Sequence, residues 1–110
     1  MPVKHIVMFE VKADASVDDV NILKQRMLEL PKEMPELFIT YELGVDLKLA
    51  GGQSHPAGKN RSICWTACFT SVADYETYEK HPAHIKAIND IIKPMTIPGT
   101  RAAIQYEYNI

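Results

Sequence analysis

Apolar residues recur at every second position from Val3 to Lys12, where Val3, His5, Val7, Phe9 and Val11 share one side. A period of two predicts a β-strand. The opposite side carries Lys4, Ile6, Met8 and Glu10, so it is not simply solvated. After Ala13-Asp14-Ala15, Ser16 is placed to cap a helix, with Asp18 and Asp19 near the positive end of its dipole. Val20, Leu23, Met27 and Leu30 follow helical spacing. Pro31 ends or kinks that helix, because it lacks the N–H that bonds back one turn. Leu37, Ile39, Tyr41, Leu43 and Val45 alternate and predict a second strand, with Gly44 as the candidate for a bulge. Lys48 to Arg61 contains Gly51-Gly52, Pro56, Gly58 and Asn60 and reads as a long polar loop.

Ser62 to Phe69 predicts a third strand, with Ile63, Trp65, Ala67 and Phe69 on one face and Cys64, Thr66 and Cys68 on the other. Ser71 caps the next helix, with Asp74 at the capping-box position, and that helix runs to about Lys80. Pro82 suits the first position of a further helix. Its stripe is Ile85, Ile88 and Ile92, and Pro94 and Pro98-Gly99 end it. Ala102 to Tyr108 is a last strand, with Ile104, Tyr106 and Tyr108 on one face. The order β-α-β-β-α-α-β predicts an α+β fold, a four-stranded antiparallel sheet with its helices on one face. Such a layer covers one side of strands that are apolar on both. An exposed apolar patch of that size is unusual in a monomer. A second copy packed sheet to sheet about a two-fold axis removes it, so the expected partner is a homodimer.

The 110 residues predict a single domain over 1–110. A domain this small hides only roughly two thirds of its unfolded surface, which also favours a partner subunit. A net charge of −2 leaves no electrostatic case for nucleic acid. No basic run argues for a membrane surface, and no apolar stretch is long enough to span one. The start of the chain has no leader pattern, so the cytoplasm is the expected location. Cys64 and Cys68 lie four steps apart on one strand, or ~13 Å at about 3.3 Å per step. That is beyond disulfide reach, and both are expected to be buried thiols.

The candidate chemistry gathers in Tyr78-Glu79-Lys80-His81-Pro82-Ala83-His84, at the junction of two helices, with His5 on the first strand. His84 precedes Ile88 by four and so borders the sheet-facing stripe. If the His5 side of its strand meets the helices, both imidazoles point into one cavity. If it faces the partner subunit, the site falls apart. His81 and His84 have a spacing that zinc sites use, but Pro82 sets His81 at the helix boundary and no cysteine or acid completes a set. His81 is read as a residue that caps or orients the turn, and no metal is expected. His55, in the polar loop, is expected to be solvated. Trp65 and Tyr106 are expected in the core or the dimer interface.

Several stretches together resemble the stress-responsive A/B-barrel (Dabb) family. They are Val3-Lys4-His5-Ile6-Val7-Met8-Phe9, Tyr41-Glu42-Leu43-Gly44-Val45-Asp46, Phe69 to Tyr78 and His81-Pro82-Ala83-His84. The resemblance covers nearly the whole chain. It implies a ferredoxin-like dimeric α+β barrel with a cavity between helices and sheet. A plant polyketide cyclase of that family closes a linear thioester by aldol condensation, without metal or organic cofactor. By motif its catalytic tyrosine and histidine match Tyr78 and His84, and its strand-one histidine matches His5. On that resemblance the candidate catalytic residues are His84, Tyr78 and His5, the ligand is a small hydrophobic carbonyl compound, and no cofactor is expected. A neutral imidazole can take a proton beside a carbonyl, and a tyrosine hydroxyl can hydrogen-bond the oxygen. The residues also fit a ligand-binding dimer without turnover, or a dimerisation module in which the three are structural. The loop Leu47 to Arg61 is longer than in the cyclase.

Overall fold

The structure is a computed structural model that describes residues 1–47, 54–55 and 58–109. Most of the predicted polar loop, including Gly51-Gly52 and Pro56, lies outside the described residues, as does the side chain of His55. Four strands form one antiparallel sheet: β1 (Val3–Phe9), β2 (Phe38–Val45), β5 (Ile63–Phe69) and β6 (Ala102–Glu107), in the order β2-β5-β1-β6. Within the loop, β3 (Ser54–His55) pairs with β4 (Gly58–Lys59) as a two-residue ladder. The helices are α1 (Val17–Glu29), α2 (Val72–Lys80), α3 (Pro82–Ala87), a π-helical turn (Ile88–Ile92) and a short α4 (Lys93–Met95). No helix among the described residues is long and apolar enough to cross a membrane.

Helix α1 starts where expected. The Ser16 hydroxyl accepts from Asp19 N–H at 3.0 Å while the Asp19 carboxylate accepts from Ser16 N–H at 3.1 Å, a complete capping box. Leu23, Met27 and Leu30 are buried on the sheet. They meet Val7 and Phe9 of β1 and Ile63, Trp65 and Phe69 of β5 in one core. Ser71 caps α2 by accepting from Asp74 N–H at 3.2 Å.

Three expectations need correction. The first strand stops at Phe9 rather than Lys12. Beyond it Lys12 N–H bonds to Met95 O and Ile97 N–H to Glu10 O, so the chain leaves the sheet to tie down the end of α4. The bulge in β2 falls between Phe38 and Thr40, not at Gly44, which pairs with Cys64. Phe38, rather than Leu37, takes the inward place in the ladder, its ring 4.6 Å from that of Phe69. Leu37 is buried one residue earlier, in a 3₁₀ turn. The last helical stripe is rotated: Ala87 and Ile91 are buried, whereas Ile85 is 47% exposed. The buried positions follow His84 by three and seven, so the core-facing line runs one residue ahead of the expected stripe, and a π-helical turn carries it on from Ile88 to Ile92.

Candidate active site

The register of the sheet decides where the chemistry sits. His5 pairs with Ala67 on β5 and Gln105 on β6, on the side that meets the helices. Opposite it, the α2–α3 junction delivers Tyr78 and His84. A cavity of about 630 Å³ between helices and sheet is lined by all three. Ordinary small-molecule sites have volumes in this range. The Tyr78 and His84 rings stack with centroids 4.2 Å apart, and the His5 ring is 6.3 Å from Tyr78.

Both imidazoles have one nitrogen committed. His84 Nδ1 lies 3.0 Å from the Glu79 carbonyl oxygen. A carbonyl only accepts, so Nδ1 carries the proton and Nε2 keeps its lone pair. His5 Nδ1 donates likewise to Gln105 Oε1 at 2.7 Å, again leaving Nε2 as the basic nitrogen. Burial is the main cause that lowers the pKa of each below 6.5, and the positive charge of Arg101 adds to it. Their hydrogen bonds and the Glu79 carboxylate oppose the shift without reversing it. Both rings are therefore neutral at neutral pH. Burial raises the Tyr78 pKa, so its hydroxyl stays a donor. Burial also pushes Tyr75, whose ring is 5.1 Å from His5, up to about 12.

His81 stands outside this group. Its Nδ1 accepts from Ala83 N–H at 3.1 Å and caps α3, while Pro82 supplies the first helical position. Among the described residues no group of three or more His, Cys, Asp or Glu side chains is arranged to hold a metal ion.

Sequence reasoning missed several cavity residues. Tyr75 sits three before Tyr78, a spacing that shares a helix face and could have revealed it. Gln105, the partner of His5, is 100 residues away, and only the sheet order brings it there. Lys93 and Arg101 line the cavity with Thr100. Thr100 is pinned, since its hydroxyl donates to Ile97 O and accepts from Glu10 N–H while its carbonyl accepts from Arg61 Nε. Trp65 lines the cavity from β5, whereas Tyr106 lies on the far side of the sheet, 43% exposed.

A four-stranded antiparallel sheet in this order, covered on one face by helices above a pocket with two histidines, is a ferredoxin-like α+β fold. The chain belongs to the stress responsive A/B barrel domain (Dabb) family, whose model matches residues 3–108. A dimeric ferredoxin-like protein of unknown function from Thermobifida fusca is 30% identical over 98% of this chain and 92% of its own, with a TM-score of 0.77. A second dimeric protein of unknown function, from Bacteroides fragilis, is 25% identical over 97% of this chain and 96% of its own, with a TM-score of 0.71. A hydroxynitrile lyase from Passiflora edulis superposes with a TM-score of 0.78 over 98% of this chain and 94% of its own. At 19% identity that likeness concerns the fold alone. No protein among the curated sequences matches the chain.

Proposed function

We propose that the protein is a homodimeric enzyme that binds a small hydrophobic carbonyl compound in the helix–sheet cavity and moves a proton beside the carbonyl. The observation that carries this is the pair of imidazoles with Nδ1 committed and Nε2 basic, flanking a buried tyrosine hydroxyl. His84 Nε2 takes a proton from the carbon next to the carbonyl. The C–H electron pair moves onto the carbonyl oxygen as an enolate, which the Tyr78 hydroxyl stabilises by hydrogen bonding. The enolate carbon then adds to a second carbonyl, as in an aldol closure, and His84 returns its proton to the new alkoxide. His5, neutral and held by Gln105, contacts the substrate or orients it. Such acid–base chemistry needs no organic cofactor. The fold also houses a hydroxynitrile lyase, which is compatible with a lyase-type reaction but selects no substrate.

The dimer is proposed to form through the sheet face away from the helices, where Met8, Ile104 and Tyr106 are exposed. The dimeric state of the Thermobifida and Bacteroides relatives supports it.

Exchange of α-protons of a simple aryl ketone into D2O, followed by NMR, tests the proton-transfer step. His84→Gln is expected to lower the enzyme-dependent rate by about 10²–10⁴-fold, the usual contribution of a positioned general base. Unchanged exchange in that variant removes His84 from the role. Tight ketone binding with no exchange leaves a ligand-binding dimer without turnover.

A further inference from the structure

The described part of the cavity wall holds a buried donor with nothing to donate to. Trp65 is 2% exposed on β5, and its indole Nε1 has no hydrogen-bond partner among the described residues. A buried donor left without an acceptor is costly, and native proteins carry few of them. Trp65 pairs across the sheet with Val7 and Leu43. Its side chain therefore points to the helices, and it lines the same cavity as His5, Tyr78 and His84. Several polar atoms nearby are engaged, although among the described residues the Nε2 atoms of His5 and His84 are not. His5 and Gln105 bond to each other, His84 Nδ1 is held by Glu79 O, and the Thr96 and Thr100 hydroxyls donate to Ile92 O and Ile97 O. The indole N–H is directed at the Tyr78 oxygen and favours its phenolate form as a hydrogen-bond donor would, without reaching full hydrogen-bond geometry. Two donors, the Tyr78 O–H and the Trp65 N–H, thus lie side by side in an apolar wall.

We infer that the Trp65 indole N–H and the Tyr78 hydroxyl form a two-donor cradle for one ligand oxygen, so that the cavity selects compounds whose carbonyl reaches Trp65. This rests on the proton-transfer reading above and adds a specificity-determining residue to it. Two donors on one oxygen hold the carbonyl plane fixed relative to His84. They also favour the enolate over the ketone, because the charge that develops is on the cradled atom. Trp65 is the chain's single tryptophan, so the indole proton gives one unambiguous NMR signal.

The test uses a matched pair of probes, acetophenone and ethylbenzene, which differ by one acceptor oxygen. Acetophenone is expected to move the Trp65 indole proton downfield by several tenths of a ppm, and ethylbenzene is not. Trp65→Phe is expected to weaken acetophenone about tenfold, the equivalent of one hydrogen bond, and to leave ethylbenzene nearly unchanged. An indole proton that stays put while the Ile88 and Ile92 methyl signals report acetophenone in the cavity overturns the assignment. That measurement on the unmodified protein stands even if Trp65→Phe folds poorly. Failure of both probes to bind up to millimolar concentration also overturns it. Exchange lost in His84→Gln with the indole unmoved overturns the cradle alone. An indole shift without His84-dependent exchange supports the cradle and overturns the base.

Discussion

On β1 the side chains that meet the helices, Val3, His5, Val7 and Phe9, are all buried, whereas on the other side Met8 is exposed and Lys4 and Ile6 are half-buried. Strand β6, at the sheet edge, is exposed along its length, with Gln105 bonded to His5 on the covered side and Ile104, 57% exposed, on the bare side. The same strands therefore make two surfaces of different character. The covered side faces the imidazoles and tyrosine of the cavity, desolvated enough to shift their pKa values. The bare side offers apolar area without a histidine. Only a roofed surface can tune an imidazole by burial, since open water would return it to its ordinary titration. A bare apolar surface instead favours association.

The largest effect is expected from Phe69→Ala on the covered side. Phe69 is fully buried, with its ring 4.9 Å from Tyr78 and 4.6 Å from Phe38. Removing it should cost about 3–5 kcal/mol in urea unfolding, and a loss under about 1 kcal/mol would mean that this face is not the core. On the bare side, Ile104→Glu should raise the dimer Kd about a hundredfold, roughly 3 kcal/mol, by burying an unpaired charge at each copy. Light scattering would detect the monomer, and an undisturbed dimer would move the interface elsewhere.

A pH series separates the faces next. Both histidines titrate below 6.5 in the folded state. The unfolded chain therefore takes up protons first as pH falls, and stability is lost below about pH 6.5, levelling off beneath the folded pKa values. Urea midpoints from neutral pH to about pH 5 should show that fall, and the double variant His5→Gln/His84→Gln should flatten it. The smallest change is expected at the edge of the cover. Ser16→Ala opens the α1 capping box and should cost about 1 kcal/mol by thermal unfolding, with the dimer intact.

Much of the fold was legible because it obeys short periods. Alternation in Val3 to Phe9 and Ile63 to Phe69 marked two central strands, and Ser16 and Ser71 marked two helix starts. What escaped was the departure from regularity. The bulge at Phe38/Thr40 accompanies the seating of the Phe38 ring against Phe69 and Tyr78, partners distant in sequence, and a π-helical turn interrupts the last helix. The candidate site was half legible for a related reason. Tyr78 and His84 lie on adjoining helical turns and declare themselves locally, whereas Gln105, Arg101 and Trp65 reach the cavity only through the sheet order.

Periodicity, caps and prolines act within a few residues, so the element types, the α+β class and the residues that carry candidate chemistry follow from the chain alone. That His5 faces the helices, which nitrogen of each imidazole stays basic, and that the Trp65 N–H lies beside Tyr78 emerge from the packed fold. Those depend on strand register and on groups up to 100 residues apart, and a hydrogen bond of that reach leaves no mark on the local pattern.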